Sequence, residues 1–411
     1  MGRKWWLLIC IIIGCSSVNA QQAAKSFPQH VHYAAKTIRP DNYSQIELDR
    51  QVSDFYTQWK KRYVRTVTGA HQSFIWFGAT GGKQCVSEGQ GYGMEIVALM
   101  AGFDPSAQNT FDDLYRYYKA HPSNRGGHLM AWAQDNKGRD LDKTSASDGD
   151  IDIAYALLLA GKQWGSKGNV DYLAAAKQII ADIMQYEINL KTWSVLLSNA
   201  VEDDSKDYFD TRSSDFMPAN FRAFYNVTND VRWQQVIDKN YRLFSYMQSE
   251  YSPDAGLVPD FIIDINKKPQ PAAKNYLESP YDGMYNYNAC RVPWRIGVDY
   301  LLNGDGHAKA IVDKMNRWVR ETTDDKADNL SAGYTLGGDD IKGRYFEALS
   351  FIAPFAVSAS ADKKNQQWLN SVWSYTIGFK LKDFDYYDNT IKLLDMIIVS
   401  GNYWRVDFSS K

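Results

Sequence analysis

The sequence predicts a mostly α-helical fold in a single domain, and three observations carry that expectation. Apolar residues return at spacings of three and four in stretch after stretch of helical length, the mark of helices that bury one face. Alternating patterns of the strand type are scarce. Between residues 40 and 411 no low-complexity linker, charge block or Pro/Ser-rich hinge divides the chain, although its length would suffice for two or three ordinary domains.

Residues 1–20 read as an export signal outside that fold. Arg3 and Lys4 form a charged start, residues 5–14 an apolar stretch, and Val18-Asn19-Ala20 a small-residue cleavage site before Gln21. The apolar stretch is short for a membrane span. Ile12-Ile13-Gly14-Cys15 also resembles a lipobox, which would leave Cys15 lipidated and the protein tethered to a membrane. Cleavage after Ala20 is the preferred expectation, leaving residues 21–411 as one domain, secreted or periplasmic.

Helices are expected over 48–67, 91–102, 151–164, 172–188, 231–249, 292–302, 308–322, 361–377 and 391–401. Loops rich in Gly, Asp, Asn and Pro, such as Ser252-Pro253-Asp254-Ala255-Gly256, separate them. Within a long loop, 193–197 and 208–212 read as short strands. About a dozen helices in one uninterrupted chain suit helical hairpins closed into a ring, with functional residues on the connecting loops.

Composition narrows the function. Apolar residues at 45% and charged residues at 23% are the proportions of a soluble globular protein. A net charge of -2 gives no electrostatic case for nucleic acid or anionic membrane as partner. The aromatic share, 14% with 13 Trp, 27 Tyr and 18 Phe, suits both core packing and stacking on sugar rings. Cys10 and Cys15 fall in the signal, so only Cys85 and Cys290 remain and no disulfide scaffold is expected. Both lie in motifs expected to line one cleft; two buried thiols are preferred over a bond, although an oxidising compartment would permit one. Six histidines show no HExxH or other ligand spacing, so neither zinc nor any other metal is expected. There is no P-loop, no GxGxxG and no G-x-S-x-G elbow; Gly89 and Gly91 lack the preceding strand that dinucleotide binding requires. No cofactor is expected, and the chain is expected to be a monomer.

Two segments carry the chemistry. Ser87-Glu88-Gly89-Gln90-Gly91-Tyr92-Gly93-Met94 sets one carboxyl among three glycines, which suggests a backbone kept clear for a ligand. Ala146-Ser147-Asp148-Gly149-Asp150-Ile151-Asp152-Ile153-Ala154 sets acids at the start of an apolar helix. A lone Glu88 would ordinarily do no more than favour the helix dipole, and Asp148 no more than cap a helix. Two separated carboxyls beside aromatic rings are also what glycosidic hydrolysis requires: a proton for the leaving oxygen, and a carboxylate to activate water or attack.

Both segments resemble, nearly letter for letter, the signature segments of family 8 glycoside hydrolases. The resemblance covers essentially everything after the signal and implies an (α/α)6 barrel. It implies Glu88 as general acid and gives Asp148 contact with the central sugar, which it helps to distort; Asp150 and Asp152 are left structural. A third segment, Tyr285-Asn286-Tyr287-Asn288-Ala289-Cys290-Arg291-Val292-Pro293-Trp294-Arg295, places Arg291 where the family directs an arginine at its carboxylates. The cellulase-type branch has an aspartate base three residues earlier, where this chain has Asn288. That departure resembles the chitosanase and lichenase branch, whose base is a glutamate from a loop just upstream. Glu278 is the first candidate here and Asp282 the second.

Sugar platforms are expected from Trp132 above all, then Tyr386, Tyr387 and Trp404, with Tyr92, Asn288 and Arg291 completing the substrate-binding set. The expected activity is that of an exported inverting endo-hydrolase of β-1,4-linked glycans, either β-glucan of the lichenan or cellulose type or chitosan. A xylanase of the same family is the alternative within enzymes. A non-catalytic glycan-binding protein on the same barrel is the alternative from another class.

Overall fold

Two kinds of helix alternate along the chain. In the computed structural model, residues 22–79, 81–346 and 348–408 are described, so the expected export segment and Cys15 lie outside the described residues. Amphipathic helices with one buried face are α1 (Gln45–Tyr63), α3 (Ala107–Ala120), α5 (Tyr172–Tyr186), α7 (Arg232–Glu250), α9 (Gly306–Thr323) and α11 (Gln366–Gly378). Between them come helices buried on nearly every side: α2 (Ser87–Leu99), α4 (Ser147–Trp164), α6 (Pro218–Thr228), α8 (Val292–Asn303), α10 (Leu349–Ala359) and α12 (Tyr386–Val399). A helix apolar all round must have protein on both sides, and these six do. They touch in the cyclic order α2, α4, α6, α8, α10, α12 and back to α2. Each amphipathic helix covers one of them from outside: α3 on α2, α5 on α4, α7 on α6, α9 on α8, α11 on α10 and α1 on α12. The fold is an (α/α)6 barrel, as expected.

The inner helices all run the same way. Near one end of the barrel, residues 24–38 cross as a strap whose amides reach the C-terminal ends of the inner helices. Phe27, Val31, Ala34 and Ile38 donate to the carbonyls of Ala101, Gly401, Leu301 and Ser360, respectively. Those carbonyls belong to the last turns of α2, α12, α8 and α10 or follow them directly, where helices leave acceptors unpaired. Trp404, expected as a sugar platform, packs at this sealed end at 2% exposure, with the Lys25 ammonium 5.5 Å over its ring. The N-termini of the inner helices therefore gather at the opposite, open end.

Three small antiparallel sheets decorate that frame. One pairs β1 (Val64–Val67) with β2 (Gln72–Ile75); a second joins β3 (Lys83–Val86), β4 (Ala133–Asp135) and β5 (Asp140–Asp142); a third joins β6 (Thr211–Arg212), β7 (Phe261–Ile263) and β8 (Gln270–Pro271). The helix expected over 48–67 thus stops at Tyr63 and hands over to β1. The expected strand 208–212 is reduced to β6, and 193–197 to a single bridge between Ile188 and Val195. A strand does precede the glycine segment, contrary to expectation, but β3 belongs to an antiparallel sheet and not to a βαβ unit.

Candidate active site

The open end collects the residues that begin the inner helices. Glu88 sits in the first turn of α2, Asp148 in the first turn of α4, and Arg291 immediately before α8. Helix N-termini favour negative charge, so two acids and a nearby counter-cation are well placed there. The three glycines after Glu88 serve this gathering. A Cβ on Gly89 would run into the Tyr386 hydroxyl, on Gly91 into Asp152 and the Gly149 carbonyl, and on Gly93 into Ile75. They let α2 approach α12, α4 and β2, and not, as their pattern suggested, a ligand approach the backbone.

Arg291 is the hub. Its Nη1 donates to Glu88 Oε2 at 2.7 Å, Asp148 Oδ2 at 2.8 Å and the Tyr92 hydroxyl at 3.1 Å. Its Nη2 donates to Ser214 Oγ and Asn288 Oδ1, both at 2.9 Å. The forked guanidinium satisfies several acceptors at once in a way lysine cannot. The two acids respond oppositely. Burial pushes Glu88 up to about 7, against the pull of Arg291 and with help from the negative charge of Asp148. Burial acts on Asp148 as well, but Arg212 and Arg291 outweigh it and hold the carboxyl at about 2. Near neutrality Glu88 can carry a proton while Asp148 stays ionised.

Glu278 reaches the same cleft from a loop. Its side chain is 44% exposed, with Oε1 3.5 Å from Arg212 Nη1 and Oε2 accepting from Asn288 Nδ2 at 2.8 Å. Asp282, the second candidate for the base, is buried and fully occupied. It accepts from the amides of Leu277, Glu278 and Ser279 and from the Ser279 hydroxyl. Asp282 shapes the loop that presents Glu278. Asn288 is fixed in turn by Asp260, which accepts from the amides of Asn286, Asn288 and Ala289.

Glu88, Asp148, Glu278 and Arg291 share a cleft of about 320 Å3, with Trp132 and Tyr387 half-buried in its wall. A larger depression of about 540 Å3 lies on the outside between α1 and α3, away from every one of these carboxyls. Tyr92 and Tyr386, expected to touch sugar, are instead buried at 0% and 2% exposure. The Tyr92 ring packs edge-on to Trp294 and the Tyr386 ring lies against Tyr63 and Phe77, while the Tyr92 hydroxyl accepts from Arg291 and that of Tyr386 donates to Glu88 at 3.3 Å. Cys85 and Cys290 are free thiols, both buried, and neither lines the cleft. Asp150 accepts from the Met130 amide and Asp152 pairs with Arg295.

Sequence reasoning passed over Arg212, which lies 3.7 Å from Asp148 and 3.1 Å from Asp215 as well as facing Glu278. It also passed over Lys83 and Phe77 in the cleft wall. Arg212 occupies a two-residue strand, too short to announce itself; the only signal was an arginine inside a predicted strand near the acids.

Similarity to known proteins agrees with this geometry. The model for Glycosyl hydrolases family 8 matches residues 47–401. A Beta-glucanase of Niallia circulans is 42% identical over 381 residues, covering 92% of this chain and 91% of its own. An Endoglucanase of Bacillus sp. (strain KSM-330) is 37% identical over 415 residues, covering 96% and 85%. Among solved structures, a Beta-1,3-1,4-glucanase from Paenibacillus sp. X4 superposes with a TM-score of 0.89 at 42% identity, over 93% of this chain and 99% of that one. A cold-adapted family 8 xylanase shares the fold, with a TM-score of 0.76 at 21% identity. With its barrel, its signature carboxyls and a family match running from α1 to just past α12, the chain belongs to glycoside hydrolase family 8.

Proposed function

We propose that this glycoside hydrolase is an inverting endo-hydrolase of β-1,4-linked glucan chains, acting on β-glucan of the mixed-linkage or cellulose type. Glu88 donates its proton to the glycosidic oxygen as the bond to the anomeric carbon breaks. Glu278 takes a proton from the water that attacks the opposite face of that carbon. Asp148, kept ionised by two arginines, contacts the central sugar and favours its distortion toward the transition state.

The observation that carries this reading is the relay Glu88–Arg291–Asn288–Glu278. A guanidinium and an amide stand between the two carboxyls, which therefore do not touch; inversion needs such a separation, typically ~6.5–9.5 Å, for the attacking water. The relay also gives Asn288 a reason. An aspartate there would set a second carboxylate within hydrogen-bond distance of Glu278, and the two could not both ionise easily. We read Asn288 as the partner of a loop base, in the manner of the chitosanase and lichenase branch. The β-glucan substrate draws support from the two relatives at 42% identity.

Residues 1–20 would direct export, with cleavage after Ala20; the mass of the mature protein distinguishes this from a lipid on Cys15. The central test measures reducing ends released from lichenan, carboxymethylcellulose, xylan and chitosan, with the anomer of the first product followed by NMR. Lichenan as the best substrate and an inverted product are expected. Retained configuration would sink the mechanism, and a preference for xylan the substrate class. For the base, azide should restore activity to Glu278→Ala by entering the vacated water site; rescue of Asp282→Ala instead would move the base there.

A further inference from the structure

The carboxyls of the cleft already have partners. Asp148 faces Arg291 and Arg212, Glu88 faces Arg291, and Glu278 faces Arg212 and the Asn288 amide. Asp215 balances Arg212 from behind, at 0% exposure. Lys83 is different. Its ammonium lies 4.8 Å from the ring centroid of Trp132 and 5.6 Å from that of Phe77, and all three residues line the cleft. Among the described residues no carboxylate forms an ion pair with it.

Such a cation acts on any charged chain threading the cleft. Near pH 6 a polymer of glucosamine carries ammonium groups along its length. A sugar ring stacking at Trp132 would bring one of them close to Lys83, where like charges repel in proportion to inverse distance. It would find no free carboxylate in compensation. A neutral glucan ring meets neither problem, and the Lys83 ammonium can donate hydrogen bonds to its hydroxyls.

We propose that Lys83, held between Trp132 and Phe77 without a carboxylate of its own, is a specificity-determining residue that admits neutral β-glucan and turns away glucosamine polymers. This role rests on the β-glucan reading above. The test compares kcat/KM on lichenan and on soluble, partly acetylated chitosan for the full-length protein and for Lys83→Met and Lys83→Glu. Lys83→Met keeps an apolar stem against the rings and deletes the charge; Lys83→Glu reverses it. At about pH 6 and low salt, the chitosan-to-lichenan ratio should rise roughly tenfold in Lys83→Met and further in Lys83→Glu. Salt at ~0.5 M should erase most of both gains. Lichenan turnover should itself fall a few-fold, because the variants lose the ammonium that donates hydrogen bonds to glucan hydroxyls. The ratio is internal to each variant, so partial unfolding cannot imitate the effect. Ratios within about twofold of the parent in both variants would overturn the Lys83 role, as would a parent that cleaves chitosan as well as lichenan. A parent inactive on lichenan and active on another glycan would overturn the β-glucan reading itself.

Discussion

Two tiers of charge run through the barrel, built from the same residue types on or immediately before the same three helices. At the mouth stand Glu88, Asp148 and Arg291; deeper along α2, α4 and α8 come Glu95, Asp152 and Arg295. In the upper tier one guanidinium nitrogen is divided between two carboxyls from different helices. In the lower tier Arg295 is committed to a single partner, with Nη1 and Nη2 on the two oxygens of Asp152 at 2.9 and 2.5 Å. Glu95 meets the Tyr403 hydroxyl at 3.1 Å and the Asp152 carboxyl, and burial, then the charge of Asp152, pushes its pKa well up. Tyr92 separates the tiers, its hydroxyl on Arg291 and its ring 5.5 Å from the Arg295 guanidinium. What distinguishes them is an exit. The Glu88 side chain keeps 18% of its surface open to the cleft, whereas Glu95 keeps 1%. A proton on Glu88 faces the cleft, whereas a proton on Glu95 is shut in against Asp152. The lower tier is a bolt across the barrel; the upper one is a site.

The same substitution made in each tier gives the largest contrast. Glu88→Gln keeps the shape and removes the proton, so kcat on a natural glycan should fall by ~10²–10⁴-fold, the usual worth of general acid catalysis, with oligosaccharide binding nearly intact. Glu95→Gln should leave kcat within about threefold, because the amide keeps the shape and can still accept from Tyr403 away from the cleft. Steady-state rates on lichenan check both. Near-normal turnover in Glu88→Gln would end its assignment, and a collapse in a folded Glu95→Gln would make the lower tier part of the chemistry.

Next in size is the cost of drawing the bolt. Arg295→Met leaves Asp152 and Glu95 buried without a cation, and breaking a buried pair in this way costs ~3–5 kcal/mol. The loss should depend on pH. Burial already raises the Asp152 pKa above its ordinary value despite Arg295, and without the arginine it should rise further. A carboxyl whose folded pKa exceeds its unfolded one binds more protons when folded, so stability is lost as pH rises through that window. Denaturant unfolding at about pH 5 and pH 8 should show the larger deficit at pH 8. A loss below ~1 kcal/mol at both would mean the tier is not held by charge.

The two tiers were not equally legible in the sequence. Glu88, Asp148 and Arg291 stand in segments odd enough to notice, and the family resemblance named their roles. Arg295 and Asp152 were equally visible as letters, but which guanidinium meets which acid depends on how α4 and α8 pack. Helix α10, Leu-Ser-Phe-Ile-Ala-Pro-Phe-Ala-Val-Ser-Ala, went unnamed because a helix enclosed on all sides has no polar face to reveal its period. The glycines of α2 were misread for a related reason: close helix packing and ligand approach both ask for a missing Cβ, and only the neighbours tell them apart. Glu278 came from resemblance alone, since nothing local separates it from a solvated loop acid.

Asp148→Asn sharpens the comparison inside the upper tier. Removing the anion next to Glu88 should cut kcat by roughly a hundredfold if Asp148 helps distort the sugar. It should also lower the Glu88 pKa from about 7, because the charge of Asp148 is one of the causes that raise it. The alkaline limb of kcat/KM, which reports loss of the proton from the acid, should therefore move to lower pH. The acidic limb should stay, because it reports the base. An acidic limb that shifts or vanishes would make Asp148 the base and displace Glu278.

The smallest effect tests whether the upper tier works with a sugar platform beside it. Trp132 is half-buried, so it packs partly on the core and partly into the cleft, with the Lys83 ammonium over one face. If the open part stacks on a glycan ring, Trp132→Ala should weaken oligosaccharide binding by ~1–2 kcal/mol, the scale of an aromatic contact. Calorimetry in a Glu88→Gln background measures this without the ligand being cleaved. The melting temperature should fall only modestly, since the half-buried indole gives up only part of the contact of a core tryptophan. A large loss of stability with unchanged binding would return Trp132 to the core, and the cleft would then have to grip its substrate through Tyr387 and the polar groups around Arg291.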